Sequence, residues 1–265
     1  MTKLAILGAA GRMGGAIVRC CGRVPSLQLI AAVEQPSHPM IGQDAGSLAG
    51  AGQIGLPIAD SLAAAQEADV WMDFTFHTVV PANVAGAARL GRALVVGTTG
   101  LDKAESQAVR DAARAVPVVW APNMSLGVNL LFALAEKAAA TLGLDYDAEI
   151  VETHHRHKKD APSGTALHLA ERVARGRAQN VEEAACYGRR GMVGERPRGQ
   201  IGIHAVRAGD VVGDHAVSFS SEGERIELSH RATSRDAFAM GALRAAAWVA
   251  TRRPGLYDMQ DVLGL

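Results

Sequence analysis

The sequence predicts an α/β fold: a Rossmann-type doubly wound parallel sheet, plus a second α+β domain with an open mixed sheet. Three observations predict it. Short apolar runs at Leu4–Leu7, Leu27–Val33, Val70–Phe74, Leu94–Val96 and Val118–Trp120 alternate with helical stretches, as buried parallel strands do. A glycine-rich segment, Gly8-Ala9-Ala10-Gly11-Arg12-Met13-Gly14, directly follows the first run. Beyond Ile201, apolar and polar residues alternate, the pattern of a sheet with one exposed face.

Each element has its own signal. Met13, Ile17, Cys20, Cys21 and Val24 recur at helical spacing after the glycine segment, and similar stretches cover roughly 79–90 and 103–114. After Asn123 the style changes to a long apolar helix from about Ser125 to Leu142, and then a strand over Glu149–Thr153. A second domain therefore begins near that point. Ile201, Ile203 and Ala205, then Val217 and Phe219, then Ile226 and Leu228 mark three strands, with Ser220-Ser221-Glu222-Gly223-Glu224 as the turn between the last two. Ser234 is the expected cap of a last helix, with Asp236 in its first turn and Phe238, Ala242, Ala245 and Val249 on one face.

Composition excludes several function classes. Lys+Arg and Asp+Glu are each 27, so no global field draws the chain to nucleic acid or to an anionic membrane. The three cysteines, Cys20, Cys21 and Cys186, form neither a disulfide framework nor a metal-ligand spacing, and read as packing residues of a reduced, cytoplasmic protein. The apolar run after Met1 breaks at Gly8, too soon for a signal segment or a membrane span.

Gly8, Gly11 and Gly14 stand where a strand passes into a helix, the context that gives such spacing meaning. Residues without a β-carbon let the backbone turn sharply against a pyrophosphate, whose charge suits the free N–H groups at the helix start. Glu34 closes the second strand twenty residues after Gly14, where a carboxylate accepts hydrogen bonds from ribose hydroxyls. The expected dinucleotide contacts are Gly8, Ala9, Ala10, Gly11, Arg12, Met13 and Glu34. They are joined by the strand-end residues Gly97, Thr98 and Thr99, and Ala121, Pro122, Asn123 and Met124. Gln35 is neutral where a 2′-phosphate wants a cation, which predicts a preference for NADH; Arg12 leaves NADPH open as a second cofactor.

The densest chemistry is Glu152-Thr153-His154-His155-Arg156-His157-Lys158-Lys159-Asp160-Ala161-Pro162-Ser163-Gly164-Thr165-Ala166. Three histidines and three basic residues within six positions repel one another unless an anion or an acidic partner compensates them. Three readings stand side by side: a solvated basic surface, a weak metal pair of His154 and His157, and an anion site suited to a small di-acid. Ser163-Gly164-Thr165 as a helix start favours the anion site, and the absence of a third ligand disfavours metal. A lysine held among cations is also a plausible acid at neutral pH.

The segment His154–Ala166 resembles the His-His-Arg-His-Lys-x-Asp-Ala-Pro-Ser-Gly-Thr-Ala signature of the dihydrodipicolinate (4-hydroxy-tetrahydrodipicolinate) reductase family of bacterial lysine biosynthesis. The resemblance extends to the glycine segment, to Val96–Gly100, to Arg207–His215 and to Gly255–Met259. Gln35 departs from the arginine of many members that accept NADPH. The resemblance implies an NAD(P)H-dependent reduction in the diaminopimelate route, with Lys158 as the acid that protonates the reduced ring and His154 as the second proton group. His155 is implied as a substrate contact, and Gly164 and Thr165 as the cradle of a substrate carboxylate. It further implies residues 1–124 and 233–265 as the dinucleotide domain, 125–232 as the substrate and oligomerisation domain, and a homotetramer. A sugar or amino-acid dehydrogenase shares the first domain, and a nucleotide-sensing regulator would lack the basic cluster.

Overall fold

A computed structural model describes residues 1–265, which divide into two compact units: Met1–Leu126 with Arg235–Gly264, and Gly127–Ser234. The first unit carries seven parallel strands in the order β12-β6-β5-β4-β1-β2-β3. These are β1 (Thr2–Leu7), β2 (Leu27–Val33), β3 (Ile58–Ala59), β4 (Val70–Asp73), β5 (Ala93–Val96), β6 (Pro117–Trp120) and β12 (Gly255–Tyr257). Five of them are the apolar runs of the sequence. The two-residue β3 and the three-residue β12 are too short to leave a periodic signal, and their partners β2 and β6 define them.

The apolar runs are unbroken because both faces of the sheet are covered. On one face Leu4, Ile6, Met72, Val95 and Val119 pack against α1 (Arg12–Cys21), α8 (Asp236–Val249) and α9 (Met259–Leu263). On the other, Ala5, Leu7, Trp71, Leu94 and Val96 meet α3 (Val80–Arg89) and α4 (Lys103–Ala112). A short α2 (Ala45–Leu48) lies between β2 and β3. Cys20 and Cys21 are buried in the first of these cores. The chain runs from β1 through β2 to β3 on one side and then returns to β4 on the other, so the order reverses between β1 and β4. That is where open parallel sheets bind ligands, at the carboxyl ends of the strands.

Helix α8 starts one residue later than its expected cap allows: Arg235, in helical conformation, occupies the N-cap position and makes no side-chain cap bond. Asp236 instead pairs with Arg19 at 2.5 Å, an ion pair that links the first turn of α8 to α1.

The second unit is a mixed five-stranded sheet of order β11-β10-β7-β9-β8. It comprises β7 (Asp147–His154), β8 (Ala185–Tyr187), β9 (Ile201–Arg207), β10 (Gly213–Ser221) and β11 (Glu224–Ala232). The hairpin β10–β11 turns at Gly223, whose φ of 87° suits a residue without a β-carbon. Helices α5 (Leu126–Leu142) and α6 (Gly164–Gly176) cover one face, burying Phe132, Leu169, Ile150, Val217 and Phe219 together, and a short α7 (Val181–Ala184) precedes β8. The stretch Leu126–Asp145 is long and apolar enough to cross a membrane, but its Val128, Leu131, Phe132, Ala135 and Ala139 belong to this core.

Candidate functional site

The glycine segment forms a tight turn between β1 and α1. Gly8 has φ of 80°, and a β-carbon there would stand 2.7 Å from the Phe74 carbonyl oxygen. A β-carbon on Gly14 would meet the Gly8 oxygen at 2.1 Å, so helix and turn close on each other only through glycine. Gly11 is the N-cap of α1 and offers no side chain to the first N–H groups. Those donors and the helix dipole therefore remain for an anion.

Glu34, at the end of β2, reaches back over this turn. Its Oε2 accepts from the Ala10 N–H at 3.1 Å and its Oε1 from the Gln35 N–H at 2.9 Å. Gly8, Ala10, Gly11, Glu34, Gln35, His38, Phe74 and Thr75 line one cavity of about 770 Å³. This volume, its apolar walls and the glycine cradle fit a nicotinamide dinucleotide. Arg12 and Gln35 are exposed, and Met13 packs partly on the core beneath.

The strand ends beside β1 are tied by a carboxylate that sequence reasoning passed over. Asp73, fully buried at the end of β4, accepts from Asn83 Nδ2 at 2.8 Å, Thr75 Oγ1 at 2.6 Å and Thr98 Oγ1 at 3.0 Å. Neutral donors thus compensate the buried carboxylate and hold the turn after β4 to that after β5. Gly97 packs under the Phe74 ring, where a β-carbon would fall 2.1 Å from it. Thr98 is buried and Thr99 exposed; after β6, Ala121 and Met124 are buried, Pro122 is exposed, and Asn123 Oδ1 accepts from the Ser125 N–H at 2.9 Å. The only trace of Asp73 in the sequence is an acid ending an apolar run, which strand periodicity alone does not distinguish from a solvated terminus.

In the second unit the basic cluster is less crowded with like charge than its composition suggests, because acidic partners lie within it. Lys158 Nζ donates to both oxygens of Asp160, at 2.8 and 2.9 Å, and the ammonium holds the Asp160 carboxyl below its ordinary range. His154 ends β7 with its Nδ1 2.6 Å from Glu152 Oε2. Strand alternation places Glu152 and His154 on the same face, two residues apart, and the carboxylate is fully buried. Arg207, at the end of β9, closes a bidentate pair on it, Nη1 to Oε2 at 2.8 Å and Nη2 to Oε1 at 3.0 Å. Burial pushes the Glu152 carboxyl up, but Arg207, His154 and the Ser163 N–H outweigh it and leave it below its ordinary value.

Ser163 caps α6, its Oγ accepting from the Ala166 N–H at 3.2 Å, and lies 3.1 Å from Nε2 of buried His215. Burial first, and the nearby His154 second, push His215 down to about 4. Gly164 and Thr165 form the first turn of α6; a β-carbon on Gly164 would meet no protein atom within 4 Å. His155 is half-buried, with its ring 6.2 Å from that of His157. Of the residues named from the sequence, His154, Lys158, Ser163, Gly164 and Thr165 are joined through this network, whose hub, Glu152, and partners Arg207 and His215 were given no role there. Chain separation hid them: Arg207 stands 55 positions after Glu152.

The profile described as "Dihydrodipicolinate reductase, N-terminus" matches residues 2–124, and that of "Dihydrodipicolinate reductase, C-terminus" matches 127–263. The chain is 52% identical over its whole length to the 4-hydroxy-tetrahydrodipicolinate reductase of Alkalilimnicola ehrlichii, covering 99% of that protein. It is 50% identical to the enzyme of the same name from Pseudomonas fluorescens, with all of both chains covered. Among solved structures, the dipicolinate-bound dihydrodipicolinate reductase of Paenisporosarcina sp. TG-14 superposes with a TM-score of 0.76 at 26% identity, covering 98% of each chain. With both halves matched and half of all residues shared with such relatives, the chain belongs to the dihydrodipicolinate reductase family.

Proposed function

We propose that this oxidoreductase reduces the ring of 4-hydroxy-tetrahydrodipicolinate, after loss of its hydroxyl as water, to tetrahydrodipicolinate, using residues of the His154–Thr165 segment. The single observation that carries the reading is the coincidence, in one short segment, of an ammonium, an imidazole and an open helix N-terminus matching the family signature. The glycine turn and Glu34 would hold a nicotinamide dinucleotide, which when bound would supply the hydride taken up at C4 of the unsaturated ring. Lys158 donates the proton that the resulting enamine takes up at the neighbouring carbon, so hydride and proton together complete the reduction. His154 is the second proton donor or acceptor, and His155 contacts the substrate.

Gly164 and Thr165 receive a ring carboxylate on their N–H groups and the Thr165 hydroxyl. The open space over Gly164 and the side-chain cap on Ser163 support this, since they keep the first turn both formed and approachable. The decisive assay is oxidation of NADH with the dihydrodipicolinate precursor. Turnover is expected from the native chain; its absence, with NADH still bound, would leave the nucleotide-sensing alternative.

NADH is the preferred cofactor. Glu34 already places one negative charge beside the ribose position, and the adjoining Gln35 supplies no cation to balance a 2′-phosphate. Comparison of kcat/KM for the two cofactors tests this, and a tenfold or larger advantage for NADPH would overturn it.

The active form is a homotetramer joined through the second sheet. Opposite the helices, that sheet presents Val151 and Val206 at 41% and 42% exposure with Ala216, Ser218 and Ser229, beside the charged or ionisable Glu149, His204 and Glu227, and it is left uncovered by any helix of the chain. Light scattering coupled to size exclusion is expected to give about four times the chain mass.

A further inference from the structure

We propose that Glu152 is the positioning residue of the reductase site: its buried carboxylate sets the tautomer of His154, clamps Arg207 and anchors the start of α6 at once. The proposal rests on the role given above to His154.

A carboxylate with no exposed surface needs every lone pair answered, and here four donors answer it. Oε2 takes His154 Nδ1 at 2.6 Å and Arg207 Nη1 at 2.8 Å; Oε1 takes Arg207 Nη2 at 3.0 Å and the Ser163 N–H at 3.0 Å. Because an ionised carboxylate only accepts, the His154 proton must sit on Nδ1, and the exchange position of the neutral ring is Nε2. A β-carbon on Gly213 would lie 3.0 Å from Nε2, so glycine at the start of β10 keeps its approach open.

The same carboxylate reaches the other parts of the site. Through the Ser163 N–H it fixes the residue that caps α6, immediately before Gly164 and Thr165. Arg207 Nη2 also donates to the Asp160 carbonyl at 2.6 Å, and the Asp160 side chain holds Lys158. One buried charge thus registers the imidazole, the carboxylate cradle and the loop that carries the ammonium. A purely structural ion pair needs Arg207 alone; the bond to His154 Nδ1 has a chemical consequence that such a pair lacks.

The first test needs no variant. Nitrogen-15 NMR of histidine-labelled enzyme, at a pH where the ring is neutral, is expected to show His154 as the Nδ1–H tautomer; the Nε2–H tautomer would overturn the proposal. The second is Glu152→Gln, checked for fold by circular dichroism. It is expected to lower kcat roughly ten- to hundredfold, to lose the single-tautomer signature of His154, and to leave the Kd for NADH within twofold. A folded Glu152→Gln enzyme with native kcat and native tautomer would overturn it. If that variant does not fold, Arg207→Lys replaces it: Glu152 and its bond to His154 remain, so the tautomer signature is expected to persist while the bidentate clamp is lost. His154→Gln separates the two levels. A native kcat in His154→Gln would remove the reading on which the proposal rests, whereas a slowed His154→Gln beside a native Glu152→Gln would remove the proposal alone.

Discussion

Single atoms decide the two ends of this chemistry. At Gly14 a β-carbon would overlap the backbone of the turn it closes, a clash no side-chain movement relieves. Gly14→Ala is therefore expected to weaken NADH by roughly ten- to hundredfold, equivalent to about 1.4–3 kcal/mol, read by fluorescence titration; unchanged affinity would mean the turn is not the pyrophosphate site. At the other end, Lys158→Ala is expected to slow single-turnover reduction by about 10²–10⁴-fold, the usual contribution of a general acid, with NADH affinity preserved. A near-native rate would remove Lys158 from proton transfer. The glycine turn between β1 and α1 and the place of Glu34 at the end of β2 were legible in the sequence because they depend on neighbours along the chain. Glu152 was not, because its significance comes from Arg207 and Ser163, which the chain brings to it from two other elements.

In the proposed function, the element that joins structure to chemistry is α6. Its N-cap is set by Ser163, whose hydroxyl bonds both the first turn and the His215 side of the site. Ser163→Ala removes a cap of the kind that costs about 0.5–2 kcal/mol. It is expected to lower the urea midpoint and, by loosening Gly164 and Thr165, to raise the KM for the ring substrate more than it lowers kcat. The reverse pattern would place α6 outside substrate binding. Helix α6 and its cap are visible in the sequence as a local pattern. The N-cap of α8 shows the limit of such reading, since Ser234 has the right chemistry yet the helix begins after Arg235, where Asp236 can reach Arg19 on α1. β3 and β12 were invisible for a related reason: two or three residues have no period, and only neighbouring strands make them strands.

At the scale of the whole molecule, the buried histidines set an acid limit. His215 is pushed down to about 4 by burial and by His154, and His230 is also held low, chiefly by burial. A histidine whose folded value lies below its unfolded one contributes stability that is complete above the unfolded value near 6.5 and is lost as pH falls toward the folded one. Unfolding free energy is thus expected to decline between about pH 6.5 and 4, by at most about 1.4 kcal/mol per pH unit for each such group. A flat profile from denaturant melts across that window would contradict the burial of His215. Glu149 acts lower still. Despite the opposing effect of burial, Arg189, His204 and Arg196 hold it near 2, so its contribution persists until pH falls well below the ordinary carboxylate range. The sequence by itself determined the parallel sheet, the dinucleotide turn and the basic segment, because strand period, glycine spacing and capping are properties of consecutive residues. Tertiary structure alone decided how that segment is charged and ordered. A carboxylate with no solvent access gathers Arg207 and Ser163 from two other elements around itself and His154; which partners answer a buried charge depends on packing between elements distant in the chain, and that is not written in any local pattern.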